Sequence, residues 1–303
     1  MEKVLLTGSN GFVGTFLKKK LLKNNKYSII GVDIANDNFK HKNYAFYKLD
    51  LQDNGILKKL SSQKIDYIIH LAAISSDKVF KENLNSSFKN NINSTLNLLD
   101  LAEKNKIKNF IFASSEWVYG DNNNKKILNE NFIINRAKLK SSYGLSKLIC
   151  EDLVINFYNL KKIYKYNILR FGIIYGPREK PGSVIEGLLK ESLEGVVKIN
   201  GSLATARKFI YIDDLVNGLV KSLKSKNSAT FNLTNNKLNS LKDILNVVKK
   251  NIKPKLIIEN INNFSPVIRN TTNFLIKKKL LWSPKTDLSK GIKYIYKQKY
   301  LKN

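Results

Sequence analysis

Short apolar runs alternate with amphipathic helical patterns through the first half of the chain. The runs are continuous for most of their length, and they occupy residues 3–8, 27–33, 44–50, 66–73, 109–115 and 166–172. Such runs are typical of strands that are buried on both faces of a parallel sheet. The intervening patterns predict helices at residues 11–23, about 53–62, 83–105 and about 142–160. Strand and helix in alternation give right-handed βαβ units, so the pattern predicts an α/β fold built on a doubly wound parallel sheet.

The pattern becomes less regular after Gly172. A connection rich in proline and glycine occupies residues 175–183, and such stretches mark turns and boundaries. The predicted elements beyond it are shorter: strands at residues 196–199, 208–212 and 230–234, and helices at 184–193, from Asp213, at 241–251 and in two stretches near the C-terminus. We therefore expect residues 1–172 to form the main domain and residues 173–303 a smaller C-terminal domain, with residues 207–235 returning to the main sheet.

Length and composition indicate a globular protein of a reducing compartment. A chain of 303 residues can bury a sizeable core. Its first residues already have the pattern of a strand, which predicts that no signal or transit peptide precedes it, and no apolar run approaches the ~18 residues that cross a bilayer. A single cysteine, Cys150, excludes a disulfide framework. Since His41, His70 and Cys150 are the only soft ligands, we expect no metal site. The lack of a long apolar run and the single cysteine predict no membrane partner and a cytoplasmic location.

The net charge of +29 invites comparison with nucleic-acid-binding proteins, whose affinity depends on lysine and arginine. Only five of the 53 basic residues are arginine, however, and the lysines are spread over nearly every segment. Recognition of bases and bidentate recognition of phosphate both favour arginine. We therefore expect no nucleic-acid partner, and we interpret each retained arginine as a position where a planar, bidentate donor is needed.

Three glycines follow the first predicted strand and begin the first predicted helix. Gly8, Gly11 and Gly14 are spaced as G-x-x-G-x-x-G. Glycines at such a turn let the backbone approach a pyrophosphate, whose charge then meets the N-terminus of the helix. Glycines also mark ordinary turns, but here the strand before and the helix after supply the context that a dinucleotide site requires.

An aspartate lies where a dinucleotide site places its ribose ligand. Asp33 ends the second predicted strand, close to the ~20-residue spacing that is expected after the glycine loop. A carboxylate at this position accepts hydrogen bonds from the adenosine ribose and repels a 2′-phosphate, which favours NAD over NADP. The alternative is that Asp33 only caps its own loop. Asp50 and Leu51, after the third strand, are candidates for contact with the edge of the adenine.

A tyrosine and a lysine lie four residues apart in the helix predicted at about 142–160. Tyr143 and Lys147 therefore share one helix face. A tyrosine with the ordinary pKa of ~10 is a poor base at neutral pH, and a neighbouring ammonium group is expected to lower that pKa. A serine at the end of the preceding strand would orient a substrate hydroxyl. The pair alone is common by chance, so its weight comes from the glycine loop, Asp33 and the serines that accompany it.

Taken together, these motifs resemble the extended short-chain dehydrogenases/reductases, in particular the UDP-glucose 4-epimerase-like group of NAD-dependent sugar-nucleotide epimerases and dehydratases. The resemblance covers nearly the whole chain and implies a Rossmann-type NAD-binding domain followed by a substrate-binding domain. It is carried, in the family's order, by the three glycines, Asp33, "HLAA" (70–73), "SSEWVYG" (114–120), "YGLSK" (143–147), "YGPR" (175–178), "RKFIYIDDL" (207–215) and "LLWSPKTDLSKGI" (280–292).

The resemblance assigns roles to individual residues. It implies that Tyr143 is the catalytic base, that Lys147 is its partner, and that Ser115 is the catalytic serine, with Ser114 as the alternative. The family's NAD stays tightly bound and takes a hydride from a sugar carbon, usually C4. The expected cofactor contacts are Gly8, Asn10, Gly11, Phe12, Val13, Gly14, Asp33, Asp50, Leu51, Leu71, Ala72, Ala73, Tyr143 and Lys147. His70 is expected to be structural.

Two residues after the serines bear on the type of reaction. In the family's 4,6-dehydratases the catalytic threonine is followed by Asp-Glu, an acid and a base that eliminate water. Here Glu116 is acidic but Trp117 cannot take a proton from carbon. The resemblance therefore favours an epimerase of a nucleotide-diphosphate sugar. Glu116 is then either an acceptor for a substrate hydroxyl or a structural carboxylate.

Arginines are expected to hold the substrate diphosphate. The resemblance assigns this role to Arg207 and Arg269, while Arg178 either lines the substrate cleft or ties down its own loop. Ile173 stands where the family often has a substrate-contacting asparagine.

The helices at 83–105 and 142–160 match the pair through which family members dimerise, so a homodimer is expected. The alternatives are a 4-keto reductase or dehydrogenase, a 4,6-dehydratase, or an NAD-binding protein without catalysis.

Overall fold

A computed structural model gives the structure of the chain. It describes residues 1–23, 25–53, 55–121, 126–262 and 264–301, with only the backbone at 56–58. Asn54, inside the helix predicted at about 53–62, lies outside the described residues. No helix in the described part of the chain has the length and apolar character required to cross a lipid bilayer.

The strands of the described residues are between two and seven residues long. In chain order they are β1 (Glu2–Thr7), β2 (Tyr27–Asp33), β3 (Tyr44–Lys48), β4 (Tyr67–His70), β5 (Asn109–Ser115), β6 (Ile127–Leu128), β7 (Tyr166–Phe171), β8 (Ile174–Tyr175), β9 (Val196–Asn200), β10 (Ala206–Arg207), β11 (Ile210–Tyr211), β12 (Ala229–Leu233), β13 (Asn239–Ser240), β14 (Ile257–Asn262) and β15 (Asn270–Thr271).

The helices alternate with these strands. They are α1 (Phe12–Leu22), α2 (Ile56–Ser61), α3 (Asp77–Glu82), α4 (Leu84–Asn105), α5 (Ser142–Asn159), α6 (Val184–Leu193), α7 (Ile212–Leu223), α8 (Leu241–Asn251), α9 (Phe274–Leu280) and α10 (Leu288–Tyr300). Two 3-10 turns, at Glu116–Tyr119 and Arg136–Lys138, follow β5 and precede α5.

Seven strands form the main sheet, in the order β12-β7-β5-β4-β1-β2-β3. The neighbouring pairs β1–β2, β1–β4, β2–β3 and β4–β5 are parallel. This confirms the predicted α/β, Rossmann-type doubly wound sheet. The strand order reverses on either side of β1, and in such sheets ligands bind beyond the carboxyl ends of the strands at this switch point.

The apolar runs form strands because both of their faces are covered. Leu5 of β1, Ile68 of β4 and Phe110 of β5 are fully buried, and they belong to one core cluster with residues of α4 and α5. Leu98 of α4 and Val154 of α5 are also fully buried in that cluster. Helices α4 and α5 pack on each other and on the sheet, which fixes the position of the α5 N-terminus.

Some element boundaries differ from the sequence prediction. The strand predicted at 66–73 ends at His70, and the strand predicted at 208–212 is reduced to Ile210–Tyr211 because α7 already begins at Ile212. Strand β14 was not predicted, although it pairs in parallel with β9. An apolar run specifies burial better than it specifies where a strand ends, because the same residues satisfy a strand, a turn or a first helical turn.

The chain divides into two compact units. The first comprises residues 1–120, 134–170 and 216–231, and the second comprises residues 121–133, 171–215 and 232–303. The first unit holds the glycine loop, Asp33, Ser115, Tyr143 and Lys147. The second holds the three arginines for which a substrate role is predicted.

Candidate active site

The glycine loop after β1 leaves no room for a side chain at Gly8 or at Gly14. Gly8 has a φ of +64°, and a Cβ there would lie 2.8 Å from the backbone nitrogen of Ala72. A Cβ on Gly14 would overlap the carbonyl oxygen of Gly8. Gly11 precedes the first turn of α1, which has neither a side-chain cap nor an acidic residue. The backbone therefore leaves the positive end of α1 accessible to an anionic group, as a pyrophosphate-binding loop requires.

We expect Gly14→Ala to damage this loop. The added methyl group must displace the Gly8 carbonyl, and overpacking of this kind costs ~1–3 kcal/mol of unfolding free energy. NAD affinity should fall about tenfold or more, measured by calorimetric titration of the cofactor-free protein.

Gly187→Ala is the matched control for that substitution. Gly187 lies within α6, and a Cβ there would meet nothing within 4 Å. The alanine should raise the unfolding free energy by ~0.5–1 kcal/mol because it removes backbone freedom from the unfolded chain. Equal effects of the two alanines in urea unfolding would contradict the tight turn at Gly14.

Asp33 joins the end of β2 to the glycine loop. Its carboxylate accepts hydrogen bonds from the backbone nitrogens of Asn10, at 2.9 Å, and Ala35, at 3.0 Å. The hydrogen bond from the Ala35 backbone nitrogen is a loop cap, which the sequence analysis gave as the alternative role of Asp33. Each carboxylate oxygen has a second lone pair, so the same side chain can also accept from a ribose hydroxyl.

The other predicted cofactor residues lie beside the carboxyl ends of β1, β3 and β4. Asp50 is exposed, whereas Leu51 is buried and its carbonyl accepts from Asn97 at 2.8 Å. Ala72 donates its backbone N–H to Thr7 Oγ1 at 3.3 Å. Phe12, Val13, Leu71 and Ala73 are each partly exposed. The fold thus brings these residues to one edge of the sheet, next to the loop for which pyrophosphate binding is predicted.

Ser115, Tyr143 and Lys147 come together where β5 ends and α5 begins. Ser115 hydrogen-bonds with Tyr143 and accepts from the Trp117 backbone nitrogen at 3.3 Å. The Lys147 ammonium lies 6.0 Å from the centre of the Tyr143 ring. Helix α5 starts here because the Ser141 hydroxyl caps it, accepting from Gly144 N at 3.1 Å.

The ionisation of Tyr143 differs from the sequence expectation. Burial raises the pKa of Tyr143 to about 12, and the hydrogen bond with Ser115 lowers it only in part. The expected effect of Lys147 is absent because its ammonium donates to the Ala113 carbonyl at 2.8 Å instead. Burial also lowers the pKa of Lys147, to about 8. In this arrangement Tyr143 is a neutral phenol at pH 7.

A buried ion pair behind β5 was missed by the sequence prediction. Glu151 accepts from Arg170 Nε, at 3.0 Å, and from Arg170 Nη2, at 2.6 Å. Ser114 Oγ donates to the same carboxylate, and Arg170 Nη1 donates to Tyr119 Oη at 3.0 Å. Ser114 therefore has a partner inside the protein, which favours Ser115 over Ser114 as the serine that faces a substrate. Its spacing in the sequence could have identified Glu151, because it follows Lys147 by one helical turn and so shares its helix face.

Glu116 and Trp117 form the first half of the 3-10 turn after β5. Glu116 is 0% exposed, which favours its structural alternative over contact with a substrate hydroxyl. Trp117 is partly exposed. A Cβ on Gly144 would lie 2.9 Å from the Trp117 carbonyl oxygen, so this turn lies directly against the first turn of α5.

In the second unit, Arg207 belongs to β10, and the backbone of Arg269 hydrogen-bonds to the same strand. The Ala206 carbonyl accepts from Arg207 Nη1 at 2.9 Å and from the Arg269 backbone nitrogen at 3.2 Å. Arg207 also donates to the Val267 carbonyl. Arg269 is almost fully buried and forms an ion pair with Asp121 at 2.7 Å.

Arg178 is bonded to its own loop. Of the two roles that the sequence analysis gave it, lining the substrate cleft or tying down this loop, these contacts fit the second. Its Nε lies 2.7 Å from Glu186 Oε2, and its Nη2 donates to the Ile174 carbonyl at 3.0 Å. Glu186 also accepts from the backbone nitrogens of Gly176, at 3.0 Å, and Gly182, at 2.7 Å. Sequence reasoning did not single out Glu186, although Ser183 and Glu186 have the spacing of a capping box.

His70 lies in a buried polar chain between β1 and α4. Its Nδ1 is 2.9 Å from Thr7 Oγ1, and its Nε2 is 3.2 Å from Thr95 Oγ1. Burial, with a smaller contribution from the Lys147 charge, lowers the pKa of His70 to about 3. His70 is therefore a neutral structural residue, as expected from the sequence.

This buried histidine should make the fold sensitive to acid. The unfolded histidine binds a proton below its ordinary pKa of ~6.5, whereas the folded one does not until about pH 3. The unfolding free energy should therefore fall as the pH drops from 6.5, by ~2 kcal/mol at pH 5. Urea unfolding of the wild type and His70→Asn at pH 7.5 and 5.0 measures this, and an equal pH dependence of both would contradict it.

Comparisons with known proteins agree with this arrangement. Residues 4–234 match the model of the NAD dependent epimerase/dehydratase family. The chain belongs to this family. It is therefore an NAD-dependent enzyme, and the tight glycine loop at Gly8 and Gly14 and the carboxylate of Asp33 at the end of β2 fit that cofactor. The described residues bring together no group of three or more His, Cys, Asp or Glu that could hold a metal ion.

Individual relatives are similar along most of the chain. The structure resembles the UDP-glucose 4-epimerase of Thermotoga maritima with UDP-glucose, at a TM-score of 0.87 and 27% identity, covering 99% of this chain and 100% of that one. The UDP-glucuronic acid 4-epimerase of Bacillus cereus, in complex with UDP-glucuronic acid and NAD, gives 0.85 and 27%, covering 98% and 99%. A dTDP-D-glucose 4,6-dehydratase of Dictyostelium discoideum is 34% identical, over 71% of this chain and 54% of that protein.

Proposed function

We propose that the protein is an NAD-dependent epimerase of a nucleotide-diphosphate sugar, with inversion at C4. The two solved relatives named as UDP-sugar 4-epimerases support this proposal. The observation that carries it against dehydration is Trp117, which follows Glu116 at the position where the family's dehydratases have their second carboxylate. An indole has no group that accepts a proton from carbon at neutral pH.

The roles of the residues follow from their positions. Tyr143 exchanges a proton with the sugar hydroxyl, and the Ser115 hydroxyl orients that hydroxyl. Bound NAD would supply the hydride acceptor for the carbon that bears this hydroxyl and, in its oxidised form, a positive charge. Lys147 lies beside Tyr143, and its ammonium donates to the Ala113 carbonyl at 2.8 Å.

The pKa of Tyr143 must be lowered before this residue can act as a base at neutral pH. A phenol with a pKa of about 12 can return a proton to the sugar oxygen, but as a base it must first be made more acidic. Each unit by which nearby positive charge lowers that pKa corresponds to ~1.4 kcal/mol. Lys147 is the candidate on this chain, because its ammonium lies 6.0 Å from the centre of the Tyr143 ring.

We assign the substrate diphosphate to Arg207 and Arg269. Both are held by backbone or side-chain partners in the second unit, which limits the entropy that ordering them on a diphosphate would cost. Guanidinium groups suit this ligand because they donate two parallel hydrogen bonds to phosphate oxygens. Arg178 is given no substrate role, because the resemblance to the family assigns the diphosphate to Arg207 and Arg269 and leaves Arg178 the alternative of tying down its own loop, where Glu186 and the Ile174 carbonyl hold it.

A 4,6-dehydratase is the second candidate, because the relative with 34% identity carries that name. The two candidates and a 4-keto reductase are separated by one experiment. Purified protein is incubated with UDP-, GDP-, dTDP-, CDP- and ADP-sugars, beginning with UDP-glucose and UDP-glucuronic acid, and the products are identified by NMR.

An epimerase should give an equilibrium mixture of two C4 epimers, and no NAD should be consumed during turnover. A 4-keto-6-deoxy product would establish the dehydratase, and stoichiometric loss of NAD or NADH would establish net redox chemistry. Failure of every sugar, with NAD still bound, would contradict the proposed substrate class.

We further propose that the protein is a cytoplasmic homodimer that associates through α4 and α5. Exposed apolar side chains on or next to these helices support the dimer: Leu84, Leu145, Tyr158 and Leu160. Light scattering should give twice the 34.7 kDa of one chain, and a monomeric mass would contradict it.

A further inference from the structure

Helix α1 carries a buried lysine directly behind the glycine loop. Lys18 forms an ion pair with Asp37, and the two side chains are only 2% and 3% exposed. The Lys18 ammonium also lies 5.0 Å from the ring centre of Phe39 and 5.3 Å from that of Tyr44. Its charge is thus enclosed by one carboxylate and two aromatic faces, both of which attract a cation.

Asp37 is held in place from several directions. Its carboxylate accepts from Tyr44 Oη at 2.6 Å and from the Phe39 backbone nitrogen at 2.8 Å. Burial alone would raise the pKa of Asp37, but the hydrogen bonds from Lys18 and Tyr44 lower it below its ordinary value. Asp37 is therefore ionised and neutralises Lys18.

This ion pair is connected to the ribose-binding aspartate through Asn10. The Asn10 backbone nitrogen donates to Asp33 at 2.9 Å, and its side-chain oxygen lies 3.5 Å from the Lys18 ammonium. The side-chain amide of Asn10 donates to the Asn36 carbonyl. Asp33 ends β2, and Asn36 and Asp37 belong to the segment that follows it. Asn10 of the glycine loop holds the first two of these residues, and Lys18 of α1 holds the third.

We propose that the Lys18–Asp37 pair sets the preference of this protein for NAD over NADP. A 2′-phosphate beside Asp33 would need a nearby cation, and Lys18 is a cation that contacts Asn10, the residue whose backbone nitrogen donates to Asp33. Asp37 and the aromatic rings keep that charge occupied. The selectivity thus comes from two carboxylates: Asp33 repels the phosphate, and Asp37 removes the charge that would offset the repulsion. The proposal rests on the ribose role assigned to Asp33.

The two partners make opposite predictions, which separates charge from mere support of the loop. Asp37→Asn leaves the Lys18 charge uncompensated and should raise the affinity for NADP relative to NAD about tenfold, the size expected for one additional unit charge near a phosphate. Lys18→Met leaves the Asp37 charge uncompensated and should shift the same ratio further toward NAD. A role limited to holding the loop would weaken both cofactors in both variants and leave the ratio unchanged.

The experiment measures dissociation constants of NAD and NADP by calorimetry on the full chain freed of cofactor, with thermal unfolding as a check on folding. The double variant Lys18→Met/Asp37→Asn carries neither charge and should return the ratio to near the wild-type value. Asp66→Asn is the control, because it removes an aspartate that is paired with the exposed Lys108, and it should leave the ratio unchanged. If Asp37→Asn does not fold, Lys18→Met and the double variant still decide the outcome.

Equal ratios in all variants would overturn the proposal. Asp33→Asn tests its premise separately: that variant should bind NAD less tightly. If Asp33→Asn binds NAD as the wild type does, the ribose assignment is wrong. If it binds NAD weakly but the Lys18 and Asp37 variants keep the wild-type ratio, only the role of the ion pair is wrong.

Discussion

Tyr143→Phe should reduce kcat by about 10²–10⁴-fold while NAD remains bound. A positioned acid or base contributes rate factors of that size, and phenylalanine removes the hydroxyl without removing the ring. The ring itself keeps its contact with Phe80, whose centroid is 6.2 Å away, so the helix start at Ser141 should be preserved. Product formation from the best nucleotide sugar is followed by NMR, and NAD content is measured after heat release from the purified variant.

Tyr164→Phe is the matched control, since it removes the same hydroxyl from an exposed tyrosine of the first unit. It should retain wild-type turnover and NAD content. If Tyr143→Phe also retains turnover, Tyr143 is not the base and the proposed mechanism is wrong. If Tyr143→Phe loses NAD as well as turnover, the hydroxyl supports cofactor binding, and the loss of rate cannot be assigned to proton transfer alone.

The sequence predicted the sheet of the first unit well because buried parallel strands have a simple signature. The apolar run of β1 and the glycine loop after it define a strand, a turn and a helix without reference to distant residues. The position of Asp33 at the end of β2, next to the glycine loop, could be predicted for the same reason. The local chemistry of α5 was also visible, because Tyr143 and Lys147 share a helix face whatever surrounds them.

The ionisation state of the site could not be predicted in this way. A spacing of four residues suggested that Lys147 would lower the pKa of Tyr143, but burial raises it and the ammonium bonds to the Ala113 carbonyl. Both effects depend on residues brought together by the tertiary fold. The same holds for the Lys18–Asp37 pair, whose members look like ordinary surface residues in a lysine-rich sequence.

Glu151→Gln should destabilise the first unit by ~3–5 kcal/mol, because it leaves the Arg170 charge buried without its counter-charge. The amide keeps the shape of the carboxylate and can still accept a hydrogen bond from Ser114, so the loss is one of charge. Burial lowers the pKa of Lys147, and the Glu151 charge opposes that effect. The variant should therefore also move the titration of Lys147 below about pH 8. Urea unfolding gives the stability, and the pH dependence of turnover gives the titration.

Glu103→Gln provides the comparison, since Glu103 pairs with Lys162 at 3.2 Å with both side chains about 40% exposed. An exposed pair contributes at most ~1 kcal/mol, so this variant should unfold almost as the wild type does. Glu151→Gln/Arg170→Met removes both buried charges and should recover much of the lost stability, because a buried ion pair gains little over neutral partners that pack well. If the double variant is as unstable as Glu151→Gln, the cost arises from lost packing around Ser114 and Tyr119 instead of the uncompensated charge. Equal unfolding free energies of the Glu151 and Glu103 variants would contradict the role of the buried pair in holding the end of β5 against α5.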